Sequence, residues 1–170
     1  VTEELKNMKK NFKIFYNFLK NKSDQKVWIS SNNDAGSSII KSEFLKLRNS
    51  NDLFFENLPR NDYLSLLKQS KCIIGNSSSG IIESSTFKTP CINVGRRQNK
   101  RFRAKNVIDV PDMTLNKLEK AYKKAFSILF KKKINKIKNP YGAGNSSKLI
   151  VDIIMKTKIN DELIKKDLTY

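Results

Sequence analysis

The sequence predicts an α/β domain built on a doubly wound, Rossmann-like parallel sheet. Short apolar segments rich in β-branched residues alternate along the chain with longer segments whose apolar residues recur at helical spacing. The short segments are continuously apolar, as in parallel strands that helices cover on both faces. The 170 residues suffice for one domain with a core, and no internal repeat or domain-sized linker divides them.

The predicted elements follow in regular alternation. The strands cover residues 26–30, 51–59, 71–75, 90–95 and 106–110. Amphipathic patterns predict helices at 3–21, around 39–47 and 64–67, at 79–87, along a long segment from 115 to 129, and around 149–154. Glycine and proline break the chain before the last helix. We assign residues 1–158 to the domain and residues 159–170 to a polar C-terminal tail.

The composition bounds the chemistry. Lysine and arginine number 34 against 16 acidic residues, for a formal net charge of +18, which suggests an anionic partner such as nucleic acid, a membrane surface or a phosphorylated metabolite. A simpler interpretation of part of this charge is compositional bias, because an AT-rich genome favours lysine at solvent-exposed positions. The chain contains no histidine, which excludes a Ser-His-Asp triad and removes the commonest general base.

Two cysteines, Cys72 and Cys91, lie in apolar segments. Two are too few for a disulfide framework or a structural zinc site, so we expect buried thiols in a reducing compartment. No apolar segment reaches the roughly 18 residues that a membrane span needs, and no signal-peptide pattern opens the chain. We therefore expect a cytoplasmic protein without a membrane partner.

Polar loops follow the first four predicted strands, at residues 31–34, 57–60, 75–80 and 95–98. In doubly wound sheets, ligands bind outside the carboxyl ends of the strands. All four loops converge at that edge, which is the candidate site.

The loop GNSSSG, residues 75–80, has the composition of an anion site. The N-terminus of a helix offers backbone N–H groups and partial positive charge, and small residues let a phosphate approach. Neither a GxGxxG nor a GxxxxGK[ST] motif occurs in the chain. The simpler interpretation is a serine N-cap on a short helix.

Charged side chains flank this loop. Glu83 could accept hydrogen bonds from a vicinal diol such as a ribose, although a solvated helix glutamate is the simpler interpretation. Arg96 and Arg97 could bind phosphate oxygens. Six of the residues 96–105 are basic, which also fits a solvated or nucleic-acid-facing loop. Taken together, the serine loop, the diol acceptor and the arginines suggest a nucleoside diphosphate.

Five segments resemble, in order and spacing, the UDP-N-acetylglucosamine 2-epimerase family, especially its hydrolysing branch used for sialic-acid-type sugars. They are NNDAGS (32–37), IIGNSSSGIIES (73–84), FKTPCINVGRRQ (87–98), KNVIDV (105–110) and NPYGAGN (139–145). The resemblance covers nearly the whole chain, and the second and third segments are the most specific. It implies the C-terminal half of a two-domain, glycosyltransferase-B-type fold, with the nucleotide in the cleft between the halves.

The resemblance also implies roles for individual residues. Carried over by position, six residues would form the substrate site: Asn32, Leu58, Ser77, Ser78, Glu83 and Arg97. The two serines would hold the diphosphate, and the glutamate would accept from the ribose hydroxyls. The backbone of the leucine would meet the uracil, the arginine would stand near the phosphates or the sugar, and the asparagine would line the same site.

The implied reaction begins with proton removal at C2 of the UDP-sugar and anti elimination of UDP. Water then adds to a glycal-like intermediate, which releases the free 2-epimer, such as N-acetylmannosamine. The resemblance implies no metal or redox cofactor, because carboxylates across a closed cleft do this chemistry.

The chain departs from the family in several ways. The family's acid/base carboxylates lie in an N-terminal half, and its His-Pro-Val-Thr segment precedes the first helix, whereas this chain opens with VTEEL. Arg96 and Ala143 replace commoner family residues. We expect no catalytic residue here, negligible turnover and weak UDP binding without the missing N-terminal domain. The full enzyme could be a homo-oligomer.

Two other functions compete with this one. The donor half of a glycosyltransferase would use the serine loop and Glu83 equally well. A basic nucleic-acid-binding module would use residues 96–105 and the lysines at 131–133, but within 96–105 only Phe102 is aromatic. We therefore expect UDP or a UDP-sugar, rather than nucleic acid, as the partner.

Overall fold

Strands and helices alternate as predicted through the first four helices; two consecutive strands and four helices follow in the described residues, and the last helix lies in the segment 159–170 that was predicted to be a polar tail. The computed structural model describes residues 7–30, 37–47 and 51–165. The strands are β1 Val27–Ile29, β2 Leu53–Phe55, β3 Ile73–Gly75, β4 Cys91–Val94 and β5 Val107–Val110. The helices are α1 Met8–Lys20, α2 Ser37–Leu47, α3 Arg60–Gln69, α4 Ser78–Ile82, α5 Leu115–Phe126, α6 Ile128–Ile134, α7 Ser146–Lys156 and α8 Asp161–Ile164.

All the strand pairing in the described residues is parallel, which confirms the predicted α/β class. The strands form two ladders: β1 pairs with β2, with Val27 opposite Leu53, and β4 lies between β3 and β5. In the second ladder Cys91 stands opposite both Ile73 and Val107. Of the five strands described, only β4 is buried along its whole length. The other four are partly exposed, so the prediction of strands covered on both faces holds for β4 alone. The carboxyl ends of β3, β4 and β5 therefore lie at one edge.

The main core lies between the three-stranded ladder and helices α1, α5 and α6. Ile92 of β4 and Leu118 and Ala125 of α5 are fully buried in it, and Ile134 of α6 closes it. Burial of one such large aliphatic side chain contributes about 1.5–3 kcal/mol to folding. This packing fixes β4, and with it the loops that leave β4.

An aromatic cluster joins the two-stranded ladder to α1 and α2. Trp28 of β1 packs against Tyr16 and Phe44, with ring centroids 5.8 and 5.1 Å apart. Phe44 in turn stacks on Phe54 of β2 at 4.8 Å. The Trp28 indole N–H donates to Asp52 at 3.2 Å, and its ring also contacts the main core. Trp28 therefore connects the two ladders through side-chain packing.

The prediction of one long helix from 115 to 129 is wrong. The chain leaves the helix at Ser127, which adopts an extended backbone and caps α6 by accepting a hydrogen bond from the Phe130 amide at 3.2 Å. A serine hydroxyl that competes for backbone amides ends one helix and begins the next. Leu129, expected on the buried face, is 81% exposed. The helix after the serine loop is also shorter than predicted, with five residues.

Helix α7 buries none of its residues in the described part of the chain. Its exposed apolar side chains are Leu149, Ile150, Val151, Ile153, Ile154 and Met155. Contiguous exposed apolar surface of this kind is typical of interaction sites. Among the described residues, no helix combines the length and the apolar character needed to cross a bilayer.

Asp24 connects three separate segments at the amino end of the sheet. Its carboxylate accepts hydrogen bonds from the Lys71 ammonium at 2.6 Å and from the Tyr122 hydroxyl at 2.7 Å. These two bonds, the one from Lys71 first, lower the pKa of Asp24. The ionised form is therefore favoured in the folded chain.

We predict that Asp24→Asn lowers the free energy of unfolding by about 1 kcal/mol at pH 7. Because the pKa of Asp24 is lower in the folded chain, this contribution is full above the unfolded value of about 3.9 and is lost as the pH falls through the folded value. Urea unfolding at pH 7 and below pH 4 measures it, with Asp152→Asn on exposed α7 as the control. An effect that persists undiminished in acid would contradict this account.

Candidate functional site

The loops after β2, β3 and β4 meet at the carboxyl edge of the sheet. Arg60, in the first turn of α3, contacts Glu83 beyond β3, with Nη1 3.0 Å from Oε1. Gln98, after β4, donates from Nε2 to the backbone oxygen of Asn76 at 2.8 Å. These contacts confirm the predicted convergence for three of the four loops. The fourth loop, with Asn32, lies outside the described residues.

Five predicted site residues lie in the described ranges: Leu58, Ser77, Ser78, Glu83 and Arg97. Four of them belong to these three loops, and Glu83 follows directly after α4. Leu58 is half-buried and stands directly before the proline that caps α3. Its backbone therefore lies at the same edge of the sheet as the contact between Arg60 and Glu83.

The serine loop forms the beginning of α4. Ser77 is the N-cap, with extended backbone, and its Oγ accepts a hydrogen bond from the Ser79 amide at 3.3 Å. Ser78 is the first helical residue and is half-buried. The serine cap and the candidate anion site are thus the same residues. Because α4 has only five residues, hydroxyls and amides would contribute more to phosphate binding than a helix dipole.

Gly80 lets α4 lie directly against β4. A Cβ at this position would stand 2.8 Å from the sulfur of Cys91, closer than Cβ atoms come to such neighbours in real proteins. Just beyond α4, the buried Ser84 hydroxyl donates to the Gly80 carbonyl at 2.6 Å, and Asn106 donates to that hydroxyl at 2.7 Å. The buried face of α4 is therefore fixed by close packing and by hydrogen bonds.

Glu83 ends α4, and its side chain is only 21% exposed. Oε1 accepts from Arg60, and Oε2 accepts from the Ser79 hydroxyl at 2.5 Å. The phenol of Tyr63, one turn after Arg60 in α3, contacts the same Ser79 hydroxyl. Arg60, Tyr63 and Ser79 are not among the six predicted site residues, although Arg60 and Ser79 lie in two of the predicted loops. The i,i+3 spacing of the first two and the i,i+4 spacing of Ser79 and Glu83 are the signals that could have found them.

Arg97 reaches the serine loop from the end of β4. Gly95 has a φ of 77°, a left-handed conformation that glycine adopts readily, and it turns the chain there. Arg97 is exposed, with Nη1 3.5 Å from the backbone oxygen of Asn76. Arg96 instead pairs with Asp112 after β5, at 3.0 Å. Of the two predicted arginines, Arg97 is thus the one beside the serine loop.

The basic segment 96–105 is partly neutralised by its own fold. Arg103 pairs with Asp109 at 2.8 Å and donates to the backbone oxygens of Arg101 and Gln98. Arg96 and Arg103 of this segment thus both contact acidic residues of the same chain. This arrangement weakens the nucleic-acid interpretation.

The cysteines offer no reactive group at this edge. Both are free thiols; Cys91 is buried and Cys72 half-buried. Burial raises the pKa of Cys72 to about 12 and also raises that of Cys91, so both remain neutral sulfhydryls. No group of three or more metal-ligating side chains forms a metal site in the described ranges.

An open cleft of 820 Å³ lies at the opposite, amino edge of β1 and β2. Residues 20, 22–26 and 51–53 line it, with both lysines and aspartates. Its position at the amino ends of parallel strands argues against it as the ligand site.

Comparison with known proteins finds a family and several relatives. A family model described as UDP-N-acetylglucosamine 2-epimerase matches residues 1–155. The chain is 38% identical over 135 residues to a GDP/UDP-N,N'-diacetylbacillosamine 2-epimerase (hydrolyzing) of Campylobacter jejuni, covering 77% of this chain and 34% of that protein. It is 32% identical over 147 residues to a UDP-N,N'-diacetylbacillosamine 2-epimerase (hydrolyzing) of Legionella pneumophila, covering 86% and 38%. The chain thus spans about a third of the length of these curated relatives.

The fold also matches a solved structure. A Methanocaldococcus jannaschii UDP-GlcNAc 2-epimerase, crystallised in complex with UDP-GlcNAc and UDP, superposes with a TM-score of 0.68 at 21% identity. The match covers 91% of this chain and 43% of that one. At this identity the likeness establishes the fold.

We predict that Gly80→Ala destabilises the chain by about 1–3 kcal/mol, although alanine normally stabilises a helix relative to glycine. The reason is the clash with the Cys91 sulfur. Chemical unfolding measures the effect, and Cys91→Ala in the same chain should remove most of it in a double-mutant cycle. Additive effects of the two substitutions would show that the close contact is not responsible.

Proposed function

Because the chain belongs to the UDP-N-acetylglucosamine 2-epimerase family, we propose that it is the UDP-binding part of a hydrolysing epimerase of that family. Residues 1–158 form the binding domain in this proposal. The observation that carries it is Glu83, a largely buried carboxylate held beside the serine loop at the carboxyl edge of the sheet. An oriented carboxylate next to small hydroxyl residues fits a ribose joined to a diphosphate.

Each part of the proposed ligand, UDP, is assigned to residues of a particular loop. The hydroxyls of Ser77 and Ser78 and the amides of the first turn of α4 would bind the diphosphate, with Arg97 supplying positive charge. Glu83 would accept from the ribose hydroxyls. The backbone at Leu58 would contact the uracil, because Leu58 follows β2 at the same edge of the sheet.

The chemical steps need groups beyond this chain. Glu83, the carboxylate held beside the serine loop, already accepts two hydrogen bonds. We therefore assign proton removal at C2, loss of UDP and addition of water to a closed cleft whose other wall is a second, N-terminal domain. The exposed apolar face of α7 and the greater length of the relatives support such a further domain.

We assign the reaction, on a cytoplasmic nucleotide-sugar, to surface polysaccharide synthesis.

The proposal predicts that the 170-residue chain binds UDP with a Kd on the order of 1 mM, because only one wall of the cleft is present. Glu83→Gln should weaken UDP binding about tenfold through loss of a hydrogen bond to a charged group. Titration calorimetry with UDP, UMP and GDP measures both. Glu119→Gln, on α5 and paired with Lys22, is the matched control and should bind like the unchanged chain.

The outcomes separate clearly. UDP binding stronger than UMP and GDP binding, and weakened by Glu83→Gln alone, supports the proposal. Binding that is the same for all three nucleotides, or unaffected by Glu83→Gln, contradicts it. Substantial epimerase turnover by this chain alone would contradict the assignment of the chemistry to a second domain.

A further inference from the structure

We propose that Tyr63 and Ser79 form a hydrogen-bond relay that orients Glu83, and that this relay determines the preference for ribose over deoxyribose in the bound nucleoside diphosphate. The inference rests on the proposed function, because it takes Glu83 as the acceptor for the ribose hydroxyls. It adds two positioning residues and a direction for each hydrogen bond.

The direction of the relay follows from counting protons. A serine hydroxyl has one proton to donate, and an ionised carboxylate can only accept. Ser79 Oγ lies 2.5 Å from Glu83 Oε2, so the Ser79 proton points at Glu83. The contact between Tyr63 and Ser79 must then use the tyrosine proton, with Ser79 as the acceptor.

Tyr63 is suited to this role. Its side chain is half-buried, and its backbone amide is fixed in the first turn of α3 by a hydrogen bond to the Pro59 carbonyl at 2.9 Å. Burial raises the pKa of the Tyr63 phenol, and the charge of the nearby Glu83 raises it further. The phenol therefore keeps its proton at neutral pH and remains a donor.

The relay should orient Glu83 more strongly than Arg60 does. The Arg60 side chain is 73% exposed, and exposed ion pairs contribute little because water screens them and long side chains lose entropy. The bond from Ser79 is short and charge-assisted, and its donor is half-buried. The hydrogen bond from Tyr63 keeps the Ser79 hydroxyl from rotating away from Glu83. The carboxylate is thereby held in one rotamer by groups from both α3 and α4.

A carboxylate held in this way can discriminate between sugars. Two carboxylate oxygens offer about four acceptor positions, of which Arg60 and Ser79 take one each. The remaining positions can accept from the two hydroxyls of a ribose at once, but only while the carboxylate keeps its orientation. A 2′-deoxyribose supplies one hydroxyl fewer and leaves an acceptor without its donor. The relay therefore affects the ratio of the affinities for the ribose and the 2′-deoxyribose nucleotides, and not only the affinity for nucleotides in general.

The test compares UDP with 2′-deoxy-UDP by titration calorimetry on the 170-residue chain. The unchanged chain should prefer UDP about tenfold. Tyr63→Phe should reduce this preference to about threefold or less by weakening UDP binding, with little effect on 2′-deoxy-UDP. Ser79→Ala should do the same, and Arg60→Gln should change the ratio less. Tyr122→Phe is the matched control, since it removes a tyrosine hydrogen bond at the opposite edge and should leave the ratio unchanged.

Failure of the relay is distinguishable from failure of the proposed function. A chain that prefers UDP and keeps the full preference in Tyr63→Phe overturns the relay alone. A chain that binds neither nucleotide, or both equally, overturns the assignment of Glu83 to the ribose.

A second measurement tests the relay without any nucleotide. Proton NMR of the free chain should show a slowly exchanging Tyr63 hydroxyl proton that disappears in Ser79→Ala. Absence of that signal in the unchanged chain, or its persistence without the serine hydroxyl, overturns the relay.

Discussion

The close packing of α4 against β4 is the contact on which the candidate site depends. β4 is buried at every residue, and Gly80 brings the backbone of α4 to the surface of that strand. Ser77 and Ser78 stand at one end of this short helix and Glu83 at the other. A helix of five residues has little stability of its own, so the contact with the strand and the bonds around Ser84 fix its position. The serine hydroxyls and the carboxylate thereby occupy defined positions at one edge.

The charges at this edge have to be balanced. A carboxylate next to a diphosphate is repulsive unless cations stand nearby, and Arg60 contacts Glu83 while Arg97 stands beside the serine loop. The surplus of basic residues provides a favourable field for an anionic ligand. Pairs such as Arg103 with Asp109 hold the loop after β4 in shape. The overall charge therefore assists binding, and a few residues give it specificity.

Much of this arrangement could be predicted from the sequence, because local patterns determine it. Continuous apolar strands alternating with amphipathic helices indicate a parallel α/β fold, and the carboxyl-edge rule selects the loops. The break at Ser127 was missed because apolar spacing continues through Leu129, whereas one hydroxyl that caps the next helix decides the outcome. The division of the strands into two ladders is a feature of tertiary pairing, which no local pattern reports.

The groups around Glu83 were missed for a related reason. Arg60 and Tyr63 belong to α3, and Ser79 and Glu83 to the segment after β3, so their contact is set by the packing of two elements distant in sequence. The two residues within each segment show helical spacing, so they share one face of a helix. That spacing does not indicate which other element packs against the face. Asn32 lies outside the described residues and remains a prediction.

The central claim is that a nucleoside diphosphate binds at the carboxyl edge of this sheet. The most direct measurement is a titration of the ¹⁵N-labelled chain with UDP, followed by amide chemical shifts in assigned NMR spectra. The account predicts that the largest shifts fall at residues 76–83, with smaller ones at 58–63 and 97–98. Shifts confined to the open cleft at residues 20–26 and 51–53, or no saturable shifts at millimolar UDP, would contradict it.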